Sequence, residues 1–253
     1  MTPPFGYTDI GPFKREQKVR LLKQGEIPEF TRTLNAIPIS YTEFALIARD
    51  YPIVFVTGDE GKTYAPMAVL GLSAGENLFA NGNGWANNVY VPAYARRYPF
   101  CMAKVTLDNV EQKERLVCVE KSYIDDAGES MFDTSGQPNE KWKEIEKLLS
   151  EYEVDLERSR EMCGILGDYG LLEPFTMQAK FTNGADSAQL TGMQRVAEAK
   201  IEHLNASQLK NLVKKGILSR VYVHLYSLTN FTRLLDRKAA RSNQVSRGPA
   251  PRS

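Results

Sequence analysis

Reaction chemistry has little to work with in this chain. It holds two histidines, His203 and His224, and three cysteines, Cys101, Cys118 and Cys163, among 253 residues. A metal needs three or four convergent ligands, and no His-Glu-x-x-His, Cys-x-x-Cys or calcium-loop spacing occurs. We therefore expect no metal and no cofactor. The odd, widely spaced cysteines exclude a disulfide framework and read as idle thiols in a reducing compartment. Charge of one sign is also missing: 32 Lys plus Arg face 31 Asp plus Glu, a net of +1. Such a balance supplies no field for gripping nucleic acid or anionic lipid. No apolar run approaches the ~18 residues of a membrane span. The opening Met-Thr-Pro-Pro-Phe-Gly has no apolar signal region. These absences point to a cytoplasmic protein with no membrane insertion, and leave open an export route that needs no signal.

Three glycine-rich segments bear on catalysis. Gly71-Leu-Ser73-Ala-Gly75 matches Gly-x-Ser-x-Gly, and His203 and His224 follow it, an order that permits a hydrolase triad. The following Glu76 to Gly84 is a poor helix, and no strand-helix alternation surrounds it, so a glycine-flanked turn is expected instead. Gly58-Asp-Glu-Gly-Lys-Thr63 ends like a phosphate loop but has Val56 where that loop needs its first glycine. It reads as a hairpin turn. Gly82-Asn-Gly84-Trp-Ala-Asn87 lacks the third glycine of a dinucleotide fingerprint and reads as a loop presenting Trp85.

The pattern of apolar residues predicts an α+β fold. Residues 1–35 read as an extended arm, 36–236 as the folded domain and 237–253 as a disordered basic tail. Within the domain, 36–135 is strand-rich and 136–236 holds helices and a hairpin, the two halves sharing one core. Ser40-Tyr-Thr-Glu43 is a capping-box pattern, so a short helix is expected over Tyr41 to Ala48. Strands are expected over Pro52 to Val56, Ala65 to Leu72, Phe100 to Leu107 and Arg115 to Glu120, forming a largely antiparallel sheet. Trp142, Ile145, Leu148, Leu149, Tyr152 and Leu156 lie at helical spacing after Pro138, the mark of a long amphipathic helix. Phe175 to Phe181 alternates, Asn183-Gly184 signals a hairpin turn, and Gln189 to Val196 returns. Ser207 reads as an N-cap, Gly216 as a helix stop, and Leu218 to Phe231 as the buried face of a last helix.

The most informative window is Asn77 to Phe100, where Trp85, Tyr90, Tyr94 and Tyr98 surround the pair Arg96-Arg97. Arginine forks onto carboxylate or phosphate and stacks on aromatic faces, and Trp, Tyr and Arg dominate binding hot spots. A short helix over Ala93 to Tyr98 would place Tyr94, Arg97 and Tyr98 on one side. Arg97 is thereby expected to face a ligand and Arg96 to brace an internal carboxylate. The competing expectation is that the aromatics pack the core while both arginines form ion pairs. Asn77, Trp85, Tyr90, Tyr94, Arg96, Arg97 and Tyr98 are the candidate partner-binding residues.

The same window carries a family resemblance. In order along the chain come Ile37-Pro-Ile-Ser, Glu43-Phe44, Tyr51-Pro-Ile-Val-Phe55, Leu70-Gly-Leu, Glu76-Asn-Leu-Phe79 and Trp85. Tyr90-Val-Pro92, Arg96-Arg-Tyr-Pro-Phe100, Met131-Phe-Asp, Leu171-Leu-Glu-Pro, Leu190-Thr-Gly, Gly216-Ile-Leu and His224-Leu-Tyr-Ser-Leu follow. With them the chain resembles the SapC family over roughly residues 30 to 236. The resemblance implies a bacterial source and a link to surface-layer assembly or export. It implies no reaction, cofactor or catalytic residue. The expectation is a non-catalytic accessory factor that binds a protein or peptide. Two alternatives are an enzyme, with a pocket around Arg97 and Trp85 or a Ser73 hydrolase, and a structural homo-oligomer that exchanges the N-terminal arm.

Overall fold

A single long helix joins two sheets. The computed structural model describes residues 3–23, 25–58, 61, 63–82, 84–107, 110–180 and 187–246. Along it run β1 (Ile10–Pro12), β2 (Lys18–Val19), β3 (Ala36–Pro38), α1 (Phe44–Ile47), β4 (Ile53–Gly58), β5 (Thr63–Val69), β6 (Ala80–Asn81) and β7 (Gly84–Trp85). Then follow α2 (Ala93–Arg96), β8 (Phe100–Leu107), β9 (Val110–Glu120), β10 (Glu129–Ser130), α3 (Glu140–Asp168), β11 (Leu172–Lys180) and β12 (Ser187–Val196). The chain ends in α4 (Ala206–Lys214), α5 (Ile217–Ser227) and α6 (Asn230–Ser246).

The larger sheet has the order β11-β12-β4-β5-β3 and every neighbouring pair is antiparallel. Its β-branched and aromatic strands bury Ile37, Ile53, Val54 and Phe55, as residue types suited to a pleated surface do. The hairpin of the second half thus completes the sheet of the first, through Met193 opposite Val56, and the two halves share a core. The Asn183-Gly184 turn lies outside the described residues. The smaller sheet, β1-β9-β8, stands apart, and β10-β2 and β6-β7 form two further two-stranded pairs, so the strands make two main sheets and two small ones rather than one sheet.

Asn139 caps α3 by accepting the Trp142 amide at 2.9 Å, so the helix begins at Glu140 and Pro138 lies just before it rather than in its first turn. Trp142 and Leu149 pack with Val19, Phe100, Val119 and Met131 under the smaller sheet. Tyr152, Met162, Cys163 and Leu166, farther along the same helix, enter the main core. The opposite face is solvated and carries pairs such as Glu140–Lys143 at 2.6 Å and Glu157–Arg160 at 2.7 Å. Exposed pairs of this kind contribute little.

Four boundaries differ from the sequence reading. The N-terminal segment is not a free arm: β1 pairs with β9, β2 with β10, and Tyr7, Ile10, Val19 and Ile27 are buried. Its few apolar residues are spaced to meet distant strands, which leaves no local period. At the other end, residues 237–246 continue α6. Lys238 and Arg241 there bind Ser73, Glu76 and the Asn77 carbonyl, so the basic residues have partners inside the fold. The last helix is also broken in two: the Asn230 side chain donates to the carbonyls of Ala48 and Tyr51 at 2.8 and 3.2 Å. Asn205 rather than Ser207 caps α4, accepting the Gln208 amide at 2.9 Å. Gly216 is the expected stop, with φ +68°. A Cβ there would sit 2.8 Å from the Tyr41 hydroxyl, which itself closes the turn by donating to the Lys215 carbonyl at 2.6 Å.

His224 on α5 is fully buried and locks that helix to the sheet. Its Nε2 accepts the Val196 amide at 3.1 Å, and its Nδ1 meets the Ile53 carbonyl at 2.9 Å. This pairing requires the neutral ring with the proton on Nδ1. Burial pushes the imidazole from 6.5 down to about 4, against the smaller upward pull of the Ile53 carbonyl. A histidine whose folded pKa is depressed binds more protons when unfolded, so stability falls with falling pH between these two values. We expect His224 to contribute a loss of up to about 3 kcal/mol in unfolding free energy between pH 6.5 and pH 4. Urea titrations across that range check it: His224→Gln should flatten the slope, and an unchanged slope would remove the assignment.

Candidate functional site

Glu43 organises the aromatic and arginine window. Its carboxylate is buried, with Oε2 accepting the Ser40 amide and hydroxyl, each at 2.8 Å. Oε1 takes the Ala93 amide at 2.6 Å and the Tyr90 hydroxyl at 3.1 Å. The capping residue of one helical segment therefore also receives the first amide of α2, a donor that no turn of α2 could satisfy. Arg96 extends the network. It is exposed, donates to the Tyr90 hydroxyl at 2.8 Å and the Val91 carbonyl at 3.0 Å, and lies over the Tyr90 ring.

Arg97 is the buried member of the pair, at 4% exposure. Its guanidinium carbon lies 4.2 Å from the Tyr94 ring centre, 4.7 Å from that of Tyr152 and 5.6 Å from that of Tyr7. Tyr94 and Arg97 do share a side of α2, but that side faces α3 and the N-terminal segment rather than solvent. Burial raises the phenols of Tyr7 and Tyr152, against the opposing pull of Arg97. They remain neutral, and the cation is held by ring faces instead of an anion. Two buried polar atoms here lack hydrogen-bond partners among the described residues, Arg97 Nε and the Tyr152 hydroxyl. Neither arginine has a carboxylate within ion-pair distance among the described residues, so the expected ion pairs do not form.

Other residues of the window serve the interior. The Trp85 indole donates to the Tyr51 hydroxyl at 2.7 Å, and that hydroxyl to the Tyr90 carbonyl at 2.6 Å. Asn77 is buried, donating to the Thr31 carbonyl and accepting the Phe79 amide, both at 2.8 Å. Tyr94 donates to the Phe5 carbonyl at 2.6 Å, and half-buried Tyr98 meets the Tyr7 ring at a tilt and the Tyr123 ring edge-on.

One side of the window opens into a groove of about 510 Å³, within the range of small-ligand sites. Leu21, Leu22, Ile27, Trp85, Val91, Ala95, Ile145 and Leu148 give it an apolar lining, and Arg97 and Tyr98 contribute as well. Lys23, Arg96, Glu129, Lys141 and Glu144 supply charge around it. Residues 21–23 and 25–28 form one wall and α3 the other. That wall was missed in the sequence because Leu21, Leu22 and Ile27 follow no helical or strand period.

The structure does not assemble the serine triad. The Ser73 hydroxyl accepts from Lys238 Nζ at 2.6 Å, an ammonium that also binds Glu76. Both nitrogens of His224 are taken by backbone, and His203 is exposed beside Glu202. Gly71 explains the motif: a Cβ there would lie 2.0 Å from the Glu76 carbonyl oxygen, so the loop closes only on glycine. Gly58 and Thr63 pair as the ends of a β4–β5 hairpin, as the near-miss phosphate loop suggests. Among the described residues, no group of three potential metal ligands comes together, and no helix is long and apolar enough to cross a membrane.

The family model described as SapC matches residues 15–234. The chain belongs to the SapC family. No curated protein and no solved structure matches it. In this SapC-family chain the matched span takes in the 21–28 wall, α2 and α3, and hence the whole groove.

Substituting Glu43 tests the organising role given to it. Glu43→Gln keeps the shape but removes the charge that accepts four donors, and leaves an amide hydrogen facing one of them. We expect a loss of about 2–3 kcal/mol in denaturant unfolding, and lost amide-exchange protection at Ala93.

Proposed function

We propose that this SapC-family chain is a non-catalytic accessory factor that binds a polypeptide segment in the groove beside Trp85 and Arg96. The surface-layer or envelope-protein setting is what membership of the family implies. The observation that carries the binding reading is the groove itself. A large apolar lining stays open on a chain that otherwise packs its aromatics tightly, and charges of both signs surround it. Apolar centres with polar rims are the usual anatomy of protein contacts. An extended segment could lay apolar side chains against Leu22, Val91 and Ile145 while Arg96 and Glu144 meet its polar groups.

Self-association is a second reading, favoured by a different patch. Tyr226 is 70% exposed, Tyr222 48% and Leu46 41%, and the tyrosines flank a shallow recess with Ala45, Ala48 and Val223. Sedimentation decides it: a dimer abolished by Tyr226→Lys supports it, and a monomer at all concentrations removes it.

The groove reading is checked by affinity capture from the native bacterial extract with mass spectrometry. Leu22→Glu and Arg96→Ala alter only exposed or half-buried side chains, so melting temperatures should stay within a few degrees of the parent. Recovery of surface-layer or envelope polypeptides should fall about tenfold or more in Leu22→Glu. Unchanged recovery in both folded variants would sink the reading.

A further inference from the structure

We propose that the groove recognises a carboxylate at the end of an apolar segment, with Arg97 and Tyr152 as its receptors. This deepens the reading above and rests on it. A buried guanidinium normally finds a carboxylate, because an unpaired charge in the interior is costly. Arg97 has none: Tyr7, Tyr152, Tyr94 and Cys101 are the groups that act on its charge, and all are neutral in their ordinary states. Three ring faces offset part of the cost but accept no directed hydrogen bond of full strength.

The donors without acceptors occur together. Arg97 Nε–H and the Tyr152 hydroxyl are the two buried side-chain polar atoms lacking a partner among the described residues. They sit on facing elements, with the guanidinium 4.7 Å from the Tyr152 ring centre. Both atoms carry protons to give, so what is missing is an acceptor; the Arg97 cation favours an anionic one, and the Glu43 and Glu153 carboxylates near Tyr152 offset only part of that pull. Arg97 belongs to the groove lining, as does Leu148, one helical turn before Tyr152 on α3. The groove therefore reaches Arg97, with buried Tyr152, which does not line it, directly behind. Its Leu21, Ile27, Ile145 and Leu148 lining fits an apolar chain behind the acid. A polypeptide C-terminus and a fatty acid share that chemistry.

The test uses the full chain and two fluorescent pools of random apolar hexapeptides, identical except that one ends in a free carboxylate and the other in a carboxamide. Octanoate is titrated separately. The free acid should bind about tenfold tighter than the amide, the scale of a charge-assisted hydrogen bond. Tyr152→Phe keeps the ring on Arg97 and removes only an unpartnered hydroxyl, so it should melt no lower than the parent yet lose most of that preference. Arg97→Gln should lose all of it. Octanoate binding that depends on Arg97, with neither peptide pool bound, would support the carboxylate site with a fatty acid as its source. Equal binding of acid and amide overturns the proposal; if Leu22→Glu still weakens both, the groove reading survives alone. Binding of none of the three probes overturns it too.

Discussion

A buried carboxylate with four donors holds the central part of this molecule in place. Glu43 closes the turn begun at Ser40, receives the leading amide of α2 and fixes the Tyr90 hydroxyl. Each of those donors belongs to a segment with little regular structure of its own. Two single-turn helices, α1 and α2, are too short to persist by propensity. They are ordered by what they touch, and the carboxylate is the shared point of contact. From there the order spreads: Tyr90 fixes Tyr51 through its carbonyl, Tyr51 fixes Trp85, and Arg96 caps the outer end of the network.

The opposite charge is treated differently. Arg97 lies within the same cluster but is surrounded by phenol rings rather than by carboxylates, and its Nε has no acceptor among the described residues. One ion is hydrogen-bonded to the limit of its oxygens while the other keeps an unused proton. On the proposal made above, the asymmetry separates a structural role for Glu43 from a recognising one for Arg97. A group that needs nothing further stabilises the fold, and a group with an unmet valence can respond to what arrives.

The long-period features were legible in the sequence. Trp142 to Leu156 showed α3, the alternation from Phe175 showed its strand, and Gly216 marked a turn that only glycine fits. The paired sides of Tyr94 and Arg97 were also visible at three-residue spacing. What spacing could not show was the direction of that side, because a one-turn helix has no opposite face to reveal by contrast. Contacts between residues far apart in sequence were equally hidden. Tyr7 beneath Arg97, Glu43 at Ala93 and Tyr152 against both depend on tertiary placement, and nothing in their neighbours announces it. The N-terminal segment misled for the same reason: strands of three and two residues carry too little pattern to be told from coil. The arginines of the last helix were read as a tail because a run of positive charge signals disorder unless its acceptors, here loop carbonyls and Glu76, are known.

That N-terminal segment has a thermodynamic consequence. Residues 21–23 and 25–28 wall the groove, and they are held by β2, a strand of two residues, by the isolated bridge between Glu26 and Gly84, and by Ile27 in the main core. Any affinity measured at the groove is an intrinsic constant divided by the fraction of molecules in which the wall is seated. Occupancy and seating are thus linked functions. A contact that pins Glu26 tightens the groove without touching its guest, and a guest protects the first thirty residues from proteases without touching most of them.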